Sequence, residues 1–317
     1  MTQQRALTRR EMWVRMLLYP THTLPTALAP VVVAAGLASR DGVFDLSRAA
    51  LALVAGWFIQ VGGVFTDNYE NLVRHPDDGE HPQLVEALRT GALTLTGLRA
   101  AIVACYGIAL LAGVWLTAEA GVAVVVIGLL SIAASWVYSA GPFTFGEHGL
   151  SDPLFFTFFG IVSVAGSYYV QAAPFLADGA LTFWEFVPAA IPIHVLVAGL
   201  PVGALTTTIL IIDDIRDREF DLIKGKRTVA TMFGKQCSRR ECLALVGFAY
   251  LAPLWFWLGL GYEAWILLSL LTAPLAVVLV RAVFTRDSFQ ELVPMTPRAA
   301  GLLLLYSLLF GIGAALV

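Results

Sequence analysis

Residues 188–221 read PAAIPIHVLVAGLPVGALTTTILIIDDIRDREFD. Twenty-five residues without a single Lys, Arg, Asp or Glu are followed by five carboxylates in nine positions. About 20 mostly apolar residues suffice to cross a hydrocarbon core of about 30 Å, so this stretch predicts a spanning helix with an acidic end. Eight further apolar stretches of similar length lie near 22–39, 49–66, 98–117, 120–138, 153–171, 242–260, 263–283 and 299–316. The whole chain of 317 residues is 58% hydrophobic and only 14% charged, with a mean hydropathy of +0.77. A soluble domain carries about 25% charged and about 45–50% apolar residues. A polar-surfaced globule, a disordered chain and a nucleic-acid partner are therefore excluded. Cys105, Cys237 and Cys242 form no CxxC pair and no even set, which argues against a zinc site or a disulfide framework. The expectation is an all-α polytopic membrane protein with nine transmembrane helices.

Short breaks at Thr117–Gly121 and Gly259–Glu263 make the flanking helices antiparallel hairpins. Arg5, Arg9, Arg10 and Arg15 precede a first span interrupted by Pro25 and Pro30, so no cleavable signal is expected and residues 1–18 read as an N-terminal tail. Eighteen of the twenty basic residues fall in the tail and in the loops after spans two, six and eight; Arg40 and Arg48 lie on the other side. By the positive-inside rule the N-terminus and those loops are cytoplasmic, in a multi-pass protein of the cytoplasmic (inner) membrane. Seventeen of the 23 acids gather on the same face, which that rule does not require. The chemistry is expected in the loops after spans two and six.

The first of these begins Thr66-Asp-Asn-Tyr-Glu-Asn-Leu-Val-Arg74. If the helix continues past the apolar core, Asp67 and Asn71 are i and i+4 and share a face. Asn68 stands beside them, and Glu70 is expected on a different face. Asp77 and Asp78 follow Pro76, where the helix should break. In the second cluster Asp213, Asp217 and Asp221 form a row over two turns. Like charges at that spacing destabilise a helix, so something cationic must neutralise them. Oxygen ligands on helices at a membrane surface suit Mg²⁺, which takes one or two carboxylates plus substrate phosphates. Arg74 lies in the first cluster, Arg216 within the second, and Lys224, Lys226 and Arg227 just beyond it; all five are candidates for phosphate oxygens. Carboxylates, bases and an apolar bundle beneath describe a site for an isoprenyl diphosphate, head at the interface and tail in the bundle. The competing readings are Arg216 and Arg218 simply pairing with their acidic neighbours, and Lys224 to Arg227 serving as a topogenic patch.

The chain resembles the UbiA superfamily of intramembrane prenyltransferases, and within it the 1,4-dihydroxy-2-naphthoate prenyltransferases of menaquinone synthesis. Three stretches carry the likeness: Thr23-Leu-Pro-Thr-Ala-Leu-Ala-Pro30; Gly141-Pro142 through Gly149-Leu150 to Tyr168-Tyr169-Val170-Gln171; and the second acidic cluster with Gly225-Lys226-Arg227-Thr228. It implies one intramembrane domain over 1–317, nine helices around a central cavity, and Mg²⁺ and diphosphate bound by two Asp-rich motifs. Asp217 and Asp221 match the second motif, where a usual Asn-Asn pair is Asp213-Asp214. The first motif departs: a usual Asn-x-x-x-Asp is Asp67-x-x-x-Asn71. One carboxylate and one amide oxygen remain on the face, and both can ligate Mg²⁺. The resemblance makes Asp67, Asn71, Asp217 and Asp221 the catalytic candidates, and Asp67, Asn68, Asn71, Asp77, Asp213, Asp217 and Asp221 the metal candidates. The usual Arg-Pro before span one is Tyr19-Pro20.

The implied reaction is transfer of a prenyl group from a prenyl diphosphate to an aromatic acceptor, in contact with membrane lipid. An intramembrane terpene cyclase using the same diphosphate site is the alternative. A transporter would carry ionisable residues at mid-membrane depth, and the spans have almost none. Trp136, Tyr138, Phe155, Phe156, Phe158, Phe159, Tyr168 and Tyr169 are candidate walls for a cationic intermediate. His148 and His75 lie near the clusters, whereas His194 and Gly199-x-x-x-Gly203 read as structural.

Overall fold

The computed structural model describes residues 8–18, 22–74, 82–176 and 189–316. In chain order the elements are α1 (Arg9–Leu18), α2 (Thr23–Arg40), α3 (Leu46–Arg74), α4 (Pro82–Arg89), α5 (Leu95–Ala120), α6 (Ala123–Ser139) and α7 (Ser151–Leu176). There follow α8 (Ile193–Lys224), α9 (Val229–Phe233), α10 (Lys235–Gly259), α11 (Ala264–Thr285), α12 (Phe289–Leu292) and α13 (Met295–Ala315). No strand occurs among the described residues. Eight helical segments are long and apolar enough to span a bilayer. The ninth apolar helix, α6, has 17 residues, at the short end for a crossing.

Two of these helices outrun the membrane. The 29 residues of α3 measure about 44 Å and the 32 of α8 about 48 Å, against a core of about 30 Å. Their last turns therefore project beyond the hydrocarbon, carrying Asp67–Arg74 and Asp213–Lys224. The hairpin turns fall where expected, at Gly121 (φ 86°) and Gly261 (φ 68°).

Helix α8 is the axis of the bundle. In its most apolar window 83% of residues are buried inside the protein, against 22% for α5 on the periphery. Burial of a backbone that deep needs close neighbours, and small residues supply them. A Cβ on Gly203 would lie 2.4 Å from the Phe156 carbonyl oxygen, and one on Gly199 2.7 Å from Ile161 Cα. On the facing side Gly160 touches Gly199 and Gly203 in the same way. There α7 widens to a π-helical segment over Phe156–Val162, a form often found at functional sites. The Thr206, Thr207 and Thr208 hydroxyls donate to the carbonyls four residues earlier, so this polar run is satisfied within the helix.

Part of the N-terminal tail is structured. Met12 and Met16 of α1 are buried against Val61, Phe65 and Leu72 of α3 and Leu93 and Leu98 beyond it. The Pro82–Arg89 helix was not expected in the loop after α3.

Gly203→Ala should destabilise the protein by about 1–3 kcal/mol, because the α7 backbone has nowhere to move. Gly107→Ala, with open space around its Cβ, should be neutral or stabilising. Melting temperatures in detergent distinguish the two.

Candidate functional site

The ends of α3 and α8 meet at one face of the bundle. Asp67 Oδ1 accepts a hydrogen bond from the Ser139 hydroxyl at 2.7 Å, and its Oδ2 accepts from Asn71 Nδ2 at 3.1 Å. Asn71 in turn offers its amide oxygen to Lys224 Nζ at 3.0 Å, so α3 and α8 are tied through one amide. The i, i+4 relation expected of Asp67 and Asn71 is realised as a direct contact.

On α8, Arg216 neutralises the carboxylate row. Its guanidinium donates to Asp213 Oδ1 and to both oxygens of Asp217, the Nε–Oδ1 distance being 2.7 Å. Thr296 at the start of α13 joins the Asp213–Arg216 pair. Asp221 is matched differently. Gly225 ends α8 in the left-handed region (φ 73°), with Lys226 N donating to the Asp221 carbonyl at 2.9 Å. This reversal brings Lys226 Nζ back to 3.2 Å from Asp221 Oδ1. A residue with a Cβ would pay for that φ, so glycine is required here.

These groups rim a cavity of about 330 Å³. Asp67, Asn68, Asp213, Asp214, Arg216, Asp217, Asp221 and Lys226 line its mouth; Phe155, Phe158, Phe159, Ile209 and Leu210 line its body. A small cleft beside the mouth is bounded by Asp67, Glu70, Asn71, Arg74, Tyr138 and Lys226. Polar groups at one end and an apolar sleeve behind suit an amphiphile with an anionic head.

The model of the UbiA prenyltransferase family matches residues 27–293. The chain belongs to this family, and it is a membrane enzyme of the prenyltransferase class. It is 30% identical to the 1,4-dihydroxy-2-naphthoate octaprenyltransferase of Escherichia coli (strain K12), over 99% of this chain and 97% of that protein. It is 29% identical to the enzyme of the same name from Mycobacterium tuberculosis (strain ATCC 25618 / H37Rv), over 89% and 90%. The fold is that of the apo UbiA homolog from Aeropyrum pernix K1: TM-score 0.67, 18% identity, 89% of this chain and 94% of that one. It is also that of the UbiA homolog from Archaeoglobus fulgidus bound to GPP and Mg²⁺, with TM-score 0.56, 16% identity, and 93% and 98% covered.

Within this UbiA fold the candidate residues divide by position. Asp67, Asn68, Asp213, Arg216, Asp217, Asp221 and Lys226 converge on the cavity, while Asn71 and Arg74 line the adjoining cleft. Lys224 reaches the site through Asn71. Arg74 is held by Glu70 at 2.8 Å and by the Gly141 carbonyl at 3.0 Å. Arg227 is exposed, its backbone N–H donating to the Glu147 carbonyl at 2.9 Å. Asp77 and His75 lie outside the described residues. One expectation is corrected: Glu70 shares a face with Asp67, because three residues along a helix is nearly one turn, and both border the cleft. Arg218 does not pair with the row; it donates to the Ala230 carbonyl at 2.8 Å and to Glu219.

Of the aromatic candidates, Tyr138, Phe155, Phe158 and Phe159 face the cavity. Trp136 is 46% exposed on the outside of the bundle. Tyr168 donates to Asp41, and Tyr169 to the Ala120 carbonyl. His148 Nδ1 pairs with the Thr144 carbonyl at 2.7 Å and stacks on Phe143, as a loop residue. His194 pairs with Asp41 at 3.1 Å. Sequence reasoning passed over His22, which lines the cavity. The available signal was a lone titratable side chain directly before the first span.

Among the described residues no three carboxylates, histidines or cysteines stand close enough to grip a metal unaided. The donors are nevertheless all oxygens, on two helices facing one cavity, which fits an ion that completes its shell with substrate phosphate and water.

Arg216→Met should cost about 3–5 kcal/mol, since Asp213 and Asp217 lose a buried counter-charge. Millimolar Mg²⁺ should then raise the melting temperature of the variant more than that of the parent. No difference between Mg²⁺ and EDTA would count against a cation site at this row.

Proposed function

We propose that this chain transfers a prenyl group from a prenyl diphosphate to an aromatic acceptor, 1,4-dihydroxy-2-naphthoate or a related quinone precursor, as a step in menaquinone biosynthesis. The observation that carries this reading is a cavity with a carboxylate-and-base mouth and an apolar body, in a chain matching naphthoate octaprenyltransferases end to end. The whole chain, 1–317, acts as one intramembrane domain. Its N-terminus and the site face are cytoplasmic, because the basic residues concentrate on that face.

Asp67, Asn68, Asn71, Asp213, Asp217 and Asp221 would hold Mg²⁺, with Asp77 joining them by its place in the sequence. Bound there, Mg²⁺ would supply positive charge to a departing diphosphate. Arg74, Arg216, Lys224 and Lys226 add fixed positive charge at the mouth, and Arg227 extends it to the outer surface. Asp217 and Asp221 are buried at 9% and 2% exposure, so their electrostatic effect is little screened by water. The apolar body takes the prenyl tail. Phe155, Phe158, Phe159 and Tyr138 line the cavity, and their aromatic surface would stabilise positive charge at the carbon from which the diphosphate leaves and keep water from it. The C–O bond to diphosphate breaks with its electron pair on oxygen, and the acceptor ring supplies the pair for the new C–C bond. The attacked carbon then releases its own substituent, H⁺ from a C–H or CO₂ from a carboxylate-bearing carbon, whose bonding pair returns to the ring.

The exchanged first motif is compatible with this chemistry. Asp67 keeps the charge, and Asn71 spends its amide on Asp67 and Lys224, fixing both. The cyclase alternative draws no support from the relatives, which carry transferase names.

Purified protein incubated with Mg²⁺ and prenyl diphosphates of graded length should form a naphthoate–prenyl adduct by mass spectrometry. Hydrocarbon or terpene alcohol formed equally without naphthoate would establish the cyclase instead. Asp217→Ala and Asp221→Ala should each lower turnover by at least 100-fold while the protein stays folded; near-normal rates in both would remove the proposed metal site. The double change Asp67→Asn/Asn71→Asp should retain more activity than Asp67→Ala, because it restores one carboxylate to the same face.

A further inference from the structure

Gln60 of α3 is an amide at membrane depth, in a stretch (49–65) whose only other hydrogen-bonding side chain is the Trp57 indole. Such a group inside a helix bundle ordinarily bonds to a neighbouring helix. Gln60 does not: among the described residues its amide makes no hydrogen bond. Nor is it sealed in protein, for both amide atoms are accessible and the half-buried side chain lines the cavity. Its direction follows from the helix. Gly56, Gly63, Val64 and Asp67 line the same cavity and lie within about 60° of Gln60 around α3. Phe58, Val61 and Phe65 take the other side, packing against α1 and α5.

Gln60 belongs to a polar girdle inside the apolar body. Gln60, Ser131 and Thr206 all line the cavity, and each lies seven residues, about 10 Å along its helix, from Asp67, Tyr138 and Asp213 at the mouth. Ser163 of α7 lines the cavity as well. The three hydroxyls are already committed as donors: Ser131 to the Ile127 carbonyl at 2.8 Å, Ser163 to Phe158 at 2.6 Å and Thr206 to Val202 at 2.8 Å. They keep lone pairs but have no hydrogen to give. Gln60 supplies the N–H donors that this depth otherwise lacks. The diphosphate does not need them, because Arg216 and Lys226 at the mouth suit it far better. A prenyl tail has no group to meet them. An aromatic acceptor carries ring oxygens, which must find partners once they leave water.

We propose that Gln60 determines acceptor specificity: its amide donates to the oxygen of a ring hydroxyl on the aromatic acceptor, whose own hydrogen goes to a hydroxyl oxygen of the girdle. This sets the depth of the ring beside the prenyl chain and rests on the transferase reading of the same site. Gln60 is a positioning residue here; it takes no part in breaking or making a covalent bond.

The test is steady-state kinetics of the full chain in detergent, with 1,4-dihydroxy-2-naphthoate and the prenyl diphosphate that the parent enzyme prefers. Gln60→Met keeps the length of the side chain and removes the amide. It should lower kcat/KM for the naphthoate by about fivefold or more. The KM for prenyl diphosphate should stay within about twofold, and the melting temperature should not fall, since no bond within the protein is lost. Gln60→Asn retracts the same amide by one methylene and should give the same split to a smaller degree. Two competitors, 1-hydroxy-2-naphthoate and 4-hydroxy-2-naphthoate, each lack one ring hydroxyl. Against the parent their inhibition constants should differ by about fivefold or more, the weaker lacking the hydroxyl that meets Gln60; against Gln60→Met they should agree within about twofold. An unchanged kcat/KM for the naphthoate, or a gap between the competitors that persists in the variant, would overturn the assignment. So would a change confined to the preferred prenyl length, which puts the amide beside the tail. An equal loss for both substrates with a lowered melting temperature marks a structural role and overturns it too. If the parent enzyme forms no adduct with any aromatic acceptor, it is the transferase reading that fails, before Gln60 is tested.

Discussion

Three carboxylates in a row on one helix face repel one another, and the site depends on how that repulsion is met. Arg216 is set between Asp213 and Asp217 by helical periodicity alone, one residue from one and three from the other. Asp221 lies too far along the helix to share it. Its counter-charge comes from Lys226, returned by the left-handed turn at Gly225. Lys224 is spent on the opposite helix, at Asn71. The acidic row is thus held by cations that an incoming anion can also use. In a low-dielectric setting each such pair is strong, and removing one member costs more than the pair itself contributes.

That arrangement works only because α8 is both buried and too long for the membrane. Close glycine contacts with α7 let it sit at the centre of the bundle, where Thr206, Ile209 and Leu210 form cavity wall. Its surplus turns lift the carboxylates to the rim. The π-helical widening of α7 lies against those glycines, with Phe158 and Phe159 inside it lining the cavity. Packing and chemistry therefore share a boundary: the helix pair that closes the body of the cavity also positions its aromatic surface.

Much of this was legible beforehand. Apolar runs and short polar breaks located nine helices, because a bilayer imposes a length that few other environments do. The i, i+4 spacing of Asp67 with Asn71 and of Asp213 with Asp217 and Asp221 placed each set on one face. What periodicity could not decide was pairing between helices. That Asn71 meets Lys224, that Ser139 meets Asp67, and that Arg74 is taken by Glu70 depend on approach distances no single helix encodes. Glu70 was placed on the wrong face by treating three residues along as a different side.

The amino-acid sequence by itself determined the membrane class, the helix positions, the side on which charge collects and the kind of ligand such charges suit. Each of these follows from local composition or from periodicity along one helix. Tertiary structure alone decided which aromatics face the cavity. It turned Phe155, Phe158 and Phe159 inward, left Trp136 outside and sent Tyr168 to Asp41. It also decided that His22, an isolated residue ahead of a span, borders the cavity. Side-chain surroundings come from elements distant in the chain, and only their packing brings those elements together.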